Sequence, residues 1–217
     1  MTSVSVAVLD SYSQLDYNLL PIGVYGVDGT GIGAALGLRI RGAQPDEVEM
    51  VGTLLGEVYD AYRPHFPAEV WVDYIREIVD IRSRLADSEL IVARIDGRLA
   101  GAVTFYPNAS RSSLERWPEG WASIRTLAVI GGARRKGVGE ALGRECIRRV
   151  QERQTLAIGL HTASFMAAAN RLYRRLGFKR APDLDIEIAE MFTGHSLPRE
   201  LSWQAEAYEL QLGGDLR

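Results

Sequence analysis

Residues 133–142 read "ARRKGVGEAL" and constrain this chain more than any other stretch. Ahead of them "WASIRTLAVI" (121–130) has the look of a strand. Behind them Val138, Leu142, Cys146 and Val150 recur at helical spacing. The chain must therefore pass from strand to helix through Gly137-Val138-Gly139, directly after three cations. Such a turn aims the first N–H groups of the helix, unpaired within it, at one point, and the helix dipole adds partial positive charge there. An anion fits this place, phosphate above all. Gly137 and Gly139 carry no Cβ to hold a pyrophosphate off the backbone. Arg134, Arg135 and Lys136 add longer-range attraction. The Walker A spacing is absent, which points away from a nucleoside triphosphate with magnesium. Glycines that merely tighten a turn would leave the three cations unexplained.

The charge distribution sharpens this. Residues 125–180 hold 13 of the 25 Lys and Arg residues and only three acids, Glu140, Glu145 and Glu152, whereas the whole chain is net −3. A basic segment in an acidic protein suggests a local anionic partner rather than general affinity for nucleic acid. A solvated, arginine-rich helix face is the plain alternative. The single cysteine, Cys146, excludes an internal disulfide framework and fits a reducing, cytoplasmic setting. It lies on the apolar side of the helix and reads as core. The N-terminus lacks a basic region and makes a poor signal peptide, and no apolar run reaches membrane-spanning length. No cluster has metal-ligand spacing, so no metal is expected.

Residues 1–36 contain no Lys or Arg and read as an appended arm, with the folded domain at 37–217. The arm includes Gly29-x-Gly31-x-x-Ala34, but no room for a helix follows, so this is no dinucleotide fingerprint. From residue 38 the expected order is strand (38–41), helix (46–62), helix (68–86), two strands around Asp96-Gly97, strand (121–130), helix to about 153, strand (156–162), helix (164–178) and a final strand (207–212). Ser164 is placed to cap the last helix and Gly177 to end it. This is a mixed α/β domain with helices packed on a central sheet.

Two motifs carry a resemblance. "LAVIGGARRKGVGEAL" (127–142) is similar to the acyl-CoA pyrophosphate loop of the GNAT superfamily of N-acyltransferases, whose signature [R/Q]-x-x-G-x-[G/A] is here Arg134-Arg135-Lys136-Gly137-Val138-Gly139. "NRLYRRLGF" (170–178) is similar to the family's second CoA motif. The resemblance covers about 38–212 and implies a mostly antiparallel sheet of six to seven strands flanked by about four helices. It implies acetyl-CoA as acyl donor. Leu127, Ala128 and Val129 would pair with the pantetheine arm through their backbone. The amides from Arg134 through Lys136, Gly137, Val138 and Gly139 to Glu140 would hold the pyrophosphate. Strand 156–162 would splay away to open a slot for the thioester, with Tyr173 beside the sulfur. Tyr173 also reads as a core position, on the border of the stripe Phe165, Ala169, Leu172 and Leu176.

The resemblance is incomplete at two positions. Met166 stands where many members have an asparagine, and Ser123 where many have a glutamate base. Glu119, His161 and a water chain are the alternatives for the base. The implied reaction is direct attack of a primary amine, on a small molecule or peptide, upon acetyl-CoA. A backbone N–H near Val129 would stabilise the oxyanion. Tyr173, with an ordinary hydroxyl pKa near ~10, would return a proton to the thiolate. A non-catalytic acyl-CoA-binding domain is the alternative. No nucleic-acid or membrane partner is implied. A homodimer is compatible with the sequence but not written in it.

Overall fold

The computed structural model describes residues 37–112, 115, 117–187 and 204–213. The arm, with its glycine motif, lies outside them. The strands are β1 (Leu38–Gly42), β2 (Glu89–Ile95), β3 (Arg98–Tyr106), β4 (Trp121–Val129), β5 (Ala157–Thr162), β6 (Lys179–Arg180), β7 (Ile186–Glu187) and β8 (Gln204–Gln211). The helices are α1 (Val48–Asp60), α2 (Ala68–Val79), α3 (Val138–Glu152) and α4 (Ala167–Arg175). The sheet runs β1-β2-β3-β4-β5-β8-β6, with β7 also on β8. Every pairing is antiparallel except β4 with β5. The two-residue strands β6 and β7 raise the count to eight, one above the expected range. Among the described residues no helix is long and apolar enough to cross a membrane.

Helices cover both faces. Val138, Leu142, Cys146 and Val150 of α3 are buried against one face, each aliphatic side chain contributing about 1.5–3 kcal/mol. Cys146 is fully buried, as its spacing predicts. Val51, Leu54 and Leu55 of α1 and Val70, Tyr74 and Ile78 of α2 fill the other face.

The hairpin between β2 and β3 turns on Asp96 and Gly97, both in the left-handed region, as the dipeptide predicts. Two helices are shorter than their periodicity suggests. The 68–86 segment stops at Val79, where the Arg84 guanidinium donates 2.7 Å hydrogen bonds to the carbonyls of Glu77 and Ile78 and so occupies the helix C-terminus. The last helix begins at Ala167 rather than Ser164. Residues 163–166 form a turn closed by Met166 N–H on the Ala163 carbonyl, and no side chain caps the helix. Its end is as expected. Gly177 (φ +94°) is left-handed, Phe178 N–H donates to the Tyr173 carbonyl, and Gly177 N–H to that of Arg174.

Candidate active site

The site begins with a break in the sheet. The parallel ladder between β4 and β5 ends at Ile124 and Leu160. Beyond it β4 stays with β3, as far as Val129 opposite Gly101, while β5 stays with β8, as far as Thr162 opposite Glu206. The divergence has a local cause. Between Ala102 and Thr104 of β3, two residues of β4 face one, a β-bulge that bends the strand. Thr126 sits in the bulge at φ +50°, an unusual conformation for a β-branched residue. Its hydroxyl is 2.9 Å from that of Thr104, a buried contact that fixes it. The splaying expected of strand 156–162 is thus produced by β4 as much as by β5.

A cavity of about 50 Å³ lies at the opening. β4 contributes Thr126 and Leu127, β5 contributes His161 and Thr162, α4 contributes Tyr173, and Tyr59 closes it from α1. Leu127 lines the cavity. Ala128 turns instead to the core under α1 and α2, and Val129 packs toward α3.

At the far end of β4 the chain makes the glycine turn. Gly137 is left-handed (φ +79°), as is Arg135 (φ +62°), and Ala141 N–H makes the first bond of the helix, to the Gly137 carbonyl. The amides of residues 135–140 have no backbone partner among the described residues. Alternating left-handed residues gather such amides into an anion-binding concavity. Arg134, Arg135 and Lys136 are exposed, and none pairs with a carboxylate among the described residues; Arg134 Nε lies 3.3 Å from the Val129 carbonyl.

The two glycines serve different ends. A Cβ on Gly137 would meet nothing within 4 Å, so that position is open to a ligand. A Cβ on Gly139 would lie 3.2 Å from Leu172 Cδ2 and 3.6 Å from Val129 Cγ2. Gly139 therefore lets α3 pack closely on β4 and α4, and the expectation that it clears the way for a pyrophosphate is corrected.

Tyr173 is buried, its ring edge-on to Phe178 at 5.9 Å. Its hydroxyl makes no hydrogen bond among the described residues, while the residue faces the cavity. Burial pushes the hydroxyl well above the ordinary tyrosine range, which corrects the unperturbed value assumed from sequence. It holds its proton more firmly than a free tyrosine. Asn170 does not replace the asparagine missing at Met166. Its amide donates to the Ala163 carbonyl at 3.0 Å and pins the turn before α4.

Of the candidate bases, Glu119 is exposed in the turn before β4. Seven residues of strand separate it from Thr126, roughly 20 Å at about 3.3 Å per residue. Ser123 is fully buried. His161 does line the cavity, so the structure separates the two candidates. Around it lies a charge network that sequence reading missed. Glu115 accepts from Trp117 Nε1 at 2.8 Å and lies 3.6 Å from Arg125 Nε and 3.4 Å from His161 Nδ1. Arg125 donates to Glu77 at 3.0 Å, and Glu77 also meets Arg84 at 3.2 Å. Burial alone would raise the Glu115 carboxyl, but His161, Arg125 and Trp117 outweigh it and the net shift is downward. Burial likewise opposes the charge of Arg125, yet Glu115 and Glu77 hold it firmly ionised. These groups come from α2, β4, β5 and the 107–120 segment, and no short motif joins them.

Known proteins share this arrangement. A PaiA N-acetyltransferase from Thermoplasma acidophilum, solved with coenzyme A, is 16% identical and superposes with a TM-score of 0.58 over 81% of this chain and 99% of its own. A GNAT family acetyltransferase from Brucella melitensis, solved with acetyl-CoA, is 20% identical with a TM-score of 0.52 over 83% and 91%. Over 123 residues the chain is 31% identical to an N-acetylaspartate synthetase of Xenopus tropicalis; the match takes in 56% of this chain and 42% of that protein, less than half of its length. The model of the acetyltransferase (GNAT) family matches residues 55–178, which span the bulge, the Gly137 turn and Tyr173. The chain belongs to the GNAT acetyltransferase family.

Proposed function

We propose that this protein transfers an acetyl group from acetyl-CoA to a primary amine. The observation that carries the reading is the slot between β4 and β5, with unpaired amides beyond one end and the Tyr173 hydroxyl on its wall. The amides of 135–140 hold the pyrophosphate of the donor, and the exposed edge of β4 from Leu127 to Val129 receives its pantetheine arm. The amine, in its neutral form, attacks the thioester carbonyl. A C–N bond forms and the C–S bond breaks. Tyr173 gives its proton to the departing sulfur, and the surplus proton of the amine restores the hydroxyl through water. N-acetylaspartate synthesis in the relative makes amino acids a natural first panel of acceptors.

Tyr173→Phe keeps the ring and its packing and removes the proton. It should leave acetyl-CoA affinity and Tm nearly unchanged and lower kcat by about 10²–10⁴. Full kcat with a Tm lowered by several degrees would make Tyr173 a core residue only.

One observation favours a second reading, a non-catalytic acyl-CoA-binding domain: no carboxylate lines the cavity among the described residues. Acetyl-CoA binding without thiol release across an amine panel would establish it.

A further inference from the structure

The ring of His161 is fixed on every side. Its Nε2 lies 2.9 Å from the carbonyl of Leu184, an acceptor only, so this nitrogen carries an N–H. Its Nδ1 faces Glu115 Oε1 at 3.4 Å and is sealed from solvent. The side chains of His161 and Glu115 are each 6% exposed. Trp117 covers the ring, with centroids 4.5 Å apart. Trp117 can do so because β5 has a glycine beneath it: a Cβ on Gly159 would come within 2.5 Å of the indole. The same indole donates to Glu115, which Arg125 holds from β4. Asp185, next to Leu184, is tied down by Arg180 and by Ala207 N–H at 2.8 Å each. No lone pair of His161 is aimed into the cavity, although the residue lines it.

We propose that His161 is a positioning residue for the acceptor, a clamp that joins the 107–120 segment to the turn at Leu184 and so sets the acceptor-side wall of the cavity, and that it is not the base. The proposal rests on the acetyltransferase reading for its effect on turnover, but not for the clamp itself. His161 bridges two chain segments 69 residues apart, Glu115 and Leu184. Those segments, with β5 between them, face the side of the cavity opposite the donor turn. A ring with both nitrogens so engaged transmits position rather than protons.

Two isosteres separate the roles. Gln at 161 offers an amide where Nε2 was and Asn offers one where Nδ1 was, and neither is a base near neutral pH. The experiment uses the full chain, with the twenty L-amino acids and N-terminal peptides as acceptors at saturating acetyl-CoA, alongside backbone hydrogen exchange. H161A should raise exchange at Leu184 and Asp185 about tenfold, and H161Q should restore most of the protection. H161A should raise the acceptor KM about tenfold with acetyl-CoA affinity unchanged, while H161Q and H161N keep kcat within about threefold of wild type. Loss of kcat in all three variants, with KM unmoved, would make His161 the base and overturn the proposal. Unchanged exchange in H161A would overturn the clamp. If the wild type acetylates no amine, the functional reading fails, and the exchange data still decide the clamp.

Discussion

The two walls of the cavity are built on opposite plans. The donor side is backbone: a left-handed glycine, six amides without backbone partners and three exposed cations with no carboxylate to neutralise them. The acceptor side is side chain: Glu77, Arg84, Glu115, Arg125 and His161, packed against one another out of water. An exposed, uncompensated cluster costs the folded state little, because water and salt screen it, and it stays available to an anion. A buried network is stable only while every partner is present, because a charge left alone in the interior is strongly penalised. One wall is left open for a ligand and the other is satisfied internally. Damage to each should therefore appear in a different measurement.

The largest effect is expected on the buried side. Arg125→Met strands Glu115 and Glu77 and should lower stability by about 3–5 kcal/mol in urea unfolding. A loss below about 1 kcal/mol would mean that the network is dispensable and the contrast false. Gly137→Val comes next. It forces a β-branched residue to φ +79°, where its side chain projects into open space beside the amides. Coenzyme A affinity should fall at least ~100-fold in calorimetry while Tm changes little, since the donor wall is built of N–H groups. Unchanged affinity would remove the turn from the binding site.

Acid sharpens the contrast further. The Glu115 carboxyl is held below its ordinary value of 4.5, so its contribution to stability is complete above about that pH. That contribution is lost as pH falls through the lower, folded value. Thermal unfolding followed from pH 7 downward should show a shallower loss in Glu115→Gln than in wild type. Identical slopes would show that Glu115 does not couple folding to protons. The smallest effect is expected far from either wall. Removing residues 1–36 should leave acetyl-CoA affinity within a few-fold, and a large loss would assign the arm to the site.

The same contrast explains what could be read from sequence. The donor wall is local. Strand, glycines and helix lie within thirty residues, and the apolar spacing of Val138, Leu142, Cys146 and Val150 gives the buried face directly. The Asp96-Gly97 hairpin and the Gly177 helix end are legible for the same reason, since each depends on a residue suited to positive φ. The acceptor wall depends on tertiary contacts. Nothing around Thr126 announces a bulge, because its conformation is held by Thr104 on another strand. The early stop of α2 depends on Arg84 reaching back from beyond the helix. Ser164 has the chemistry of a cap, but the turn at 163–166 and the grip of Asn170 on Ala163 move the helix start past it. Gly139 shows the limit even of a good motif: its place was legible, its reason was not.

The break between β4 and β5 also divides the chain by the cost of assembly. On one side β2 and β3 meet across two residues and β3 and β4 across fourteen. On the other, β5 must find partners on β8 that lie 44 to 54 residues away in sequence. Loop closure makes distant pairing slower to nucleate than neighbouring hairpins. The meander on the first side can therefore form early and wait as a template, with β5 and β8 completing the sheet late through four residue pairs along β4. The reactive slot is thus the seam left where an early-folding half meets a late one.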